Sequence, residues 1–208
     1  MLDENGVLIL GPSGAGKTTL LLAALGQGAT YVANDRVFVR GDTAVRGVPT
    51  IVSLRAGTAA YFPRFAARLA SSGFKHRKTI AECAPPRFPA PDKARLLTPR
   101  RLTRLLEVNS AATTRLAALM FPSITPAARG MRIEPLSAEM AADRLSKMPF
   151  APHALKKAAE VLSLEHRSHE PNVAEQCRCL TSVVPAFEVV MDEGAHQEVS
   201  LFRRFVQR

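Results

Sequence analysis

Gly11-Pro12-Ser13-Gly14-Ala15-Gly16-Lys17-Thr18 fits G-x-x-x-x-G-K-[ST] at every position, and its flanks decide how the chain reads. Before it, Gly6-Val7-Leu8-Ile9-Leu10 is a short apolar run closed by Gly11 and Pro12, the pattern of a buried strand. After it, Thr18 to Leu25 is rich in Leu and Ala and predicts a helix ending at Gly26 or Gly28. Strand, glycine loop and helix in that order are the context this pattern requires. The glycines let the backbone curl so that successive N–H groups face one concavity, at a helix start whose dipole favours anions. A nucleoside triphosphate with Mg²⁺ is the expected ligand. Gly11, Ser13, Gly14, Ala15, Gly16, Lys17, Thr18 and Thr19 are the residues expected to bind it. Lys17 is placed to reach the β- and γ-phosphates, the Thr18 hydroxyl to ligate Mg²⁺, and Thr19 to touch the α-phosphate.

Outward from the loop, Thr30-Tyr31-Val32-Ala33 predicts a second strand, with Asn34-Asp35 at its end. Val37 to Val39 and Ala44 to Val45 predict a hairpin around Gly41-Asp42. This opening is that of an α/β fold with a nucleotide site at the strand ends. Ala56 to Ala70 predicts a helix with Phe62, Phe65 and Leu69 on one side and Arg64 and Arg68 on another. Pro85, Pro86, Pro89 and Pro91 form a loop, since proline suits neither a helix interior nor a central strand. Thr98-Pro99 fits the N-cap and first position of a helix running to about Glu107. Leu116 to Phe121 and Met131 to Ile133 read as strands, and Ser137 caps a helix to Lys147. A helix near Ala154 to Leu164 and a late strand over Val183 to Met191 complete a single domain.

The chain has 208 residues, 47% of them hydrophobic and 22% charged, which excludes a disordered polyelectrolyte. No run approaches the roughly 18 apolar residues of a membrane span. Met1-Leu2-Asp3-Glu4-Asn5 lacks the basic and apolar regions of a secretory signal. Three cysteines (Cys83, Cys177, Cys179) are too few for a disulfide framework, so a cytoplasmic location is expected. Of the net charge of +10, Tyr61 to Arg104 carries +9, from eleven Lys and Arg against Glu82 and Asp92. Residues 61–104 are therefore expected to form a basic, proline-rich lid or docking segment. It holds no named nucleic-acid module, and three of its aromatics fall on the core side of a helix, so nucleic acid is the weaker partner class. An acidic or phosphorylated acceptor explains the charge better.

The loop alone suits many ATPases, including the ATP-binding subunits of membrane transporters. Those carry a Leu-Ser-Gly-Gly-Gln signature, absent here, and a hydrophobic strand ending in Asp-Glu. Val189-Val190-Met191-Asp192-Glu193 approaches the second feature, but Glu188 interrupts the run. Gly6 to Val39 instead resembles the catalytic core of HPr kinase/phosphorylase, a serine kinase with a phosphoenolpyruvate-carboxykinase-like fold. That family pairs its phosphate loop with a strand ending Ala-Asp-Asp-Arg-Val. Here Ala33-Asn34-Asp35-Arg36-Val37 follows Lys17 at the family spacing. Val45-Arg46-Gly47-Val48-Pro49 is similar, more weakly, to its Ile-Arg-Gly segment. Together these matches cover about a fifth of the chain.

The resemblance implies an ATP- and Mg²⁺-dependent kinase acting on a hydroxyl of a Ser/Thr side chain or a small molecule. Asp35 is then the catalytic carboxylate, Lys17 and Arg46 complete the catalytic set, and Thr18, Asn34 and Asp35 face the metal. Arg46 and Arg55 are the guanidinium candidates for clamping the transferred phosphate, Arg46 on the signature and Arg55 on proximity in sequence. A homo-oligomer is also implied. Three features depart from the family. Asn34 stands where it has the first of two aspartates. Neither its histidine upstream of the loop nor its N-terminal domain has a counterpart in this sequence. HPr itself and the reverse phosphorolysis therefore lie outside the expectation. The alternatives are an ATP-binding switch or ATPase module without an acceptor, and a nucleic-acid-associated NTPase. His166-x-x-His169 and Cys177-x-Cys179 carry zinc-compatible residue types, though the Cys-x-Cys spacing is tighter than usual structural-zinc loops.

Overall fold

A computed structural model describes residues 5–40, 43–72, 95–125, 128, 130–148 and 172–192. The architecture is mixed α/β around a mixed six-stranded sheet. Its axis is a twelve-residue strand, β6 (Thr113–Ile124). β1 (Asn5–Ile9) runs parallel to it, pairing Val7 with Ala118 and Ile9 with Met120. β8 (Ala186–Met191) is also parallel, pairing Leu119 with Ala186 and Ile124 with Met191. Because β1 and β8 both pair Leu119, they occupy opposite edges of β6. The hairpin β2 (Val37–Val39) and β3 (Ala44–Gly47) joins antiparallel at the start of β6, with Ala44 opposite Arg115. β7 (Met131–Leu136) closes the far side, antiparallel to β8. The carboxyl ends of β1, β6 and β8 thus point the same way, and β1 stops opposite Met120, two residues before Pro122. The sheet opens there.

Alternation along the strands sorts side chains to two faces. Leu119 and Phe121 pack with Ala141, Leu145 and Cys177 from α5 (Ala138–Ser146) and α6 (Val173–Val183). Met120, Val189 and Met191 face the other way, onto Leu20 and Ala23 of α1 (Lys17–Gly26). The opposite side of α1 supplies Leu22 and Leu25 to a second apolar cluster. That cluster also holds Tyr31, the two-stranded sheet of β4 (Val52–Leu54) and β5 (Arg95–Leu97), and residues of α2 (Ala56–Ala60), α3 (Pro63–Ser71) and α4 (Pro99–Leu106). α1 is therefore gripped between the main sheet and this smaller unit, and Phe62 packs against both clusters.

Local signals place most helix ends. α1 closes with the Gly28 and Ala29 N–H groups bonded to Leu25 and Ala24 carbonyls, Gly28 being left-handed at φ 91°. The Thr98 and Ser137 hydroxyls accept from Arg101 and Met140 N–H at 3.3 and 3.2 Å, and so cap α4 and α5.

Four expectations change. Thr30 to Ala33 is not a strand but a single parallel bridge, in which Tyr31 N–H donates to Asn109 and its carbonyl accepts from Ala111. The pairing stops at that bridge, and the Ala112 carbonyl just beyond it accepts from Gly47 N–H of β3. The helix over Ala56 to Ala70 is two helices broken at Tyr61-Phe62, because Pro63 has no N–H and opens α3 at its first position. The late strand starts at Ala186, since Val183 ends α6 and Pro185 separates the two elements. β4 and β5 are additional strands. The Gly41-Asp42 turn, the proline loop, the helix near Ala154 to Leu164 and residues 73–94 of the basic segment lie outside the described residues.

Candidate functional site

The glycine loop leaves the sheet where Leu10 N–H makes the last ladder bond, to Met120 at 2.8 Å. Gly14 and Gly16 are left-handed, at φ 87° and 94°, which any side chain would strain. Gly16 is also hemmed in: a Cβ there would meet Met191 Cε at 2.9 Å and Ile124 Cδ1 at 3.2 Å. The loop is thereby seated on the carboxyl ends of β6 and β8. Gly14 faces open space, with nothing within 4 Å of a Cβ.

Gly16 is also the N-cap of α1, which has no side-chain cap and no acidic residue in its first turn. The first-turn N–H groups therefore lack internal acceptors and offer an anion site. Lys17 arches back across the loop and donates from Nζ to the Gly11 and Pro12 carbonyls, each at 2.8 Å. Open donors, an open glycine and a lysine spanning them fit the phosphates of a nucleotide. Thr18 and Thr19, half-buried in the same turn, are placed to accompany them.

Asp35 lies in the bend after Tyr31, near enough for its charge to be felt at Lys17. Burial lowers the Lys17 pKa from its ordinary value, and the Asp35 carboxylate partly offsets this. The Tyr31 hydroxyl is pushed up to about 12, first by burial and then by the same carboxylate. Asp35 is thus an exposed carboxylate felt by a loop lysine and a buried phenol. The bend is held from β3. Val48 N–H donates to Arg36 at 3.0 Å, and Gly47 lies so close that a Cβ would sit 2.5 Å from the Val32 carbonyl oxygen. The weakly matched Arg-Gly segment therefore contributes its glycine to the placement of Asp35. Asn34, beside Asp35, is half-buried.

The two arginines separate. Arg46 is exposed on β3, across from Phe38 and Thr113. Arg55 reaches the loop itself, its Nη2 lying 3.4 Å from Ser13 Oγ. The Asp192 carboxylate accepts from Gly130 N–H at 2.7 Å, so it ties the end of β8 to the residue that opens β7. Glu193, His166 and His169 lie outside the described residues. Cys177 is buried on α6 and Cys179 is exposed, and no group of three His, Cys, Asp or Glu suited to a metal occurs among the described residues. Mg²⁺ held through a nucleotide takes only one or two protein ligands. A hollow of about 280 Å³ over Glu139, Met140, Asp143 and Arg144 lies on α5, across the sheet from α1.

Sequence reasoning did not single out Tyr31, whose hydroxyl is buried with no hydrogen-bond partner among the described residues. Nor did it find the seat formed by Ile124 and Met191, which no local pattern encodes. No described helix is long and apolar enough to cross a membrane. The chain matches no family model, no curated protein and no solved structure.

Proposed function

We propose that this chain is an ATP- and Mg²⁺-dependent kinase with a phosphate-loop, phosphoenolpyruvate-carboxykinase-like fold, moving the γ-phosphoryl group to a hydroxyl. The observation that carries this reading is the glycine loop at the start of α1, with Gly14 and Gly16 left-handed and Lys17 spanning it, and an Asp35 carboxylate near enough to act on that lysine. A lysine and helix start for phosphate, with a carboxylate alongside, are the parts phosphoryl transfer needs. Thr18, with Asn34 and Asp35, would hold Mg²⁺, which would supply charge neutralisation at the phosphates. Lys17 exchanges its carbonyl bonds for phosphate oxygens. Gly11 to Thr19 fix the phosphate chain, so the acceptor meets it in line. Asp35 accepts the proton of the attacking hydroxyl as the new O–P bond forms. The bond to the bridging oxygen breaks, and ADP leaves with that electron pair. The exposed Arg64, Arg100 and Arg104 provide a basic face for an acidic or phosphorylated acceptor.

Asp35→Ala tests this. It should keep Mg-ATP binding by calorimetry and lose transfer of a labelled γ-phosphoryl group by about 10²–10⁴-fold. Transfer near the wild-type rate removes Asp35 as the base and with it the family reading of its segment. Asparagine at position 34 favours a second reading, an ATP-binding switch without an acceptor. Binding without any labelled product, across candidate hydroxyl compounds and a cell extract, selects that alternative.

A further inference from the structure

Arg55 precedes α2 in extended backbone, at φ −77° and ψ 146°, and its carbonyl accepts from Ala59 N–H at 3.1 Å. Its root is rigid: Leu54 before it and Ala59 one turn on are each 1% exposed. Its head is the opposite. The guanidinium is exposed, and no described carboxylate forms an ion pair with it. What it meets is Ser13 Oγ, at 3.4 Å, a length at which a hydrogen bond is weak. A flexible five-donor cation on a fixed root therefore stands at the rim of a loop whose own donors also lack an anion.

Position along the loop says which anion. The assignments run from Thr19 at the α-phosphate to Lys17 at the β- and γ-phosphates. The next step outward along the chain is the exposed rim at Ser13, where Arg55 sits. A terminal phosphate carries three non-bridging oxygens, which a planar guanidinium can meet with two parallel hydrogen bonds. We infer that Arg55 is a specificity-determining residue of the nucleotide site, contacting the terminal phosphate of a triphosphate and so distinguishing it from a diphosphate. The inference rests on the nucleotide reading proposed above and adds the group that reads the length of the phosphate chain. Arg46, exposed across from Phe38 and Thr113, shows no such approach to the loop.

The test titrates wild type, Arg55→Ala and Arg55→Lys with Mg-ADP and with the Mg complex of a non-hydrolysable ATP analogue, by calorimetry. Wild type should bind the triphosphate analogue more tightly than ADP. Arg55→Ala should weaken the analogue by about 10–100-fold, the span of a lost charge-assisted bond, and change ADP by less than about twofold. Arg55→Lys should fall between, since it keeps the charge and loses the fork. Equal losses for both nucleotides, or no loss for either, overturn the assignment while leaving the nucleotide site standing. Binding of neither nucleotide by wild type overturns both. Matched thermal unfolding of the three proteins assigns the ratio to the contact, because an arginine acting only on folding moves both affinities together.

Discussion

Lys17 and Asp35, eighteen residues apart in the chain, share one electrostatic environment: burial lowers the lysine's pKa and the carboxylate partly offsets that. Removing the carboxylate should leave burial unopposed. In Asp35→Asn, the Lys17 ammonium should therefore lose its proton at lower pH than in wild type. NMR titration of the labelled side-chain carbon checks this, and an unchanged midpoint would separate the two residues. Nucleotide affinity should fall as pH rises through the Lys17 pKa, because only the ammonium holds phosphate. Lys17→Ala should lower affinity at neutral pH by at least about tenfold.

Tyr31 gives a prediction with a defined pH window. Its hydroxyl is buried and has no partner among the described residues, so Tyr31→Phe should equal wild-type stability at neutral pH or exceed it by up to about 1 kcal/mol. Burial, then Asp35, raises its pKa to about 12, above the ordinary value of 10.0. The unfolded chain therefore releases the phenolic proton first. The tyrosine's contribution is fully present below pH 10 and is lost as pH rises toward 12. Over that window wild type should lose roughly 1 kcal/mol per pH unit relative to Tyr31→Phe. Parallel urea-unfolding curves for the two proteins up to pH 11 would mean the hydroxyl is not buried as described.

Gly47 and Gly26 form a matched pair of opposite sign. A Cβ at Gly47 would meet the Val32 carbonyl oxygen at 2.5 Å, and backbone cannot rotate aside. Gly47→Ala should cost about 1–3 kcal/mol and displace the segment that carries Asp35. At Gly26, inside the last turn of α1, a Cβ meets nothing within 4 Å. Gly26→Ala should stabilise by about 0.5–1 kcal/mol. Denaturant midpoints measure both, and two changes of the same sign would contradict the packing around Gly47.

What was legible in the sequence was local. The glycine loop, α1 with its closing Gly28, and the Thr98 and Ser137 caps each depend on residues within one turn of the feature. The strand expected at Thr30 to Ala33 needed a partner strand, and only Tyr31 is bridged, to Ser110 far along the chain. Pro63 was itself a readable signal for the break between α2 and α3, because a missing N–H cannot continue a helix. Choosing between Arg46 and Arg55 was beyond sequence. A segment similarity favours the first, yet only the packing of β4 and α2 against α1 sends the second to Ser13.

The same contrast has a consequence for the order in which the chain emerges during synthesis. The pattern from Gly11 to Thr18 is complete within the first tenth of the sequence, and Leu22 and Leu25 of α1 can find partners before residue 109. Gly16, however, rests on Ile124 and Met191, so β8 must arrive before the loop has its seat. A nascent or truncated chain ending before β8 carries every residue of the motif and lacks half the surface that shapes it. The site is written between residues 11 and 18 and finished only by residues 124 and 191.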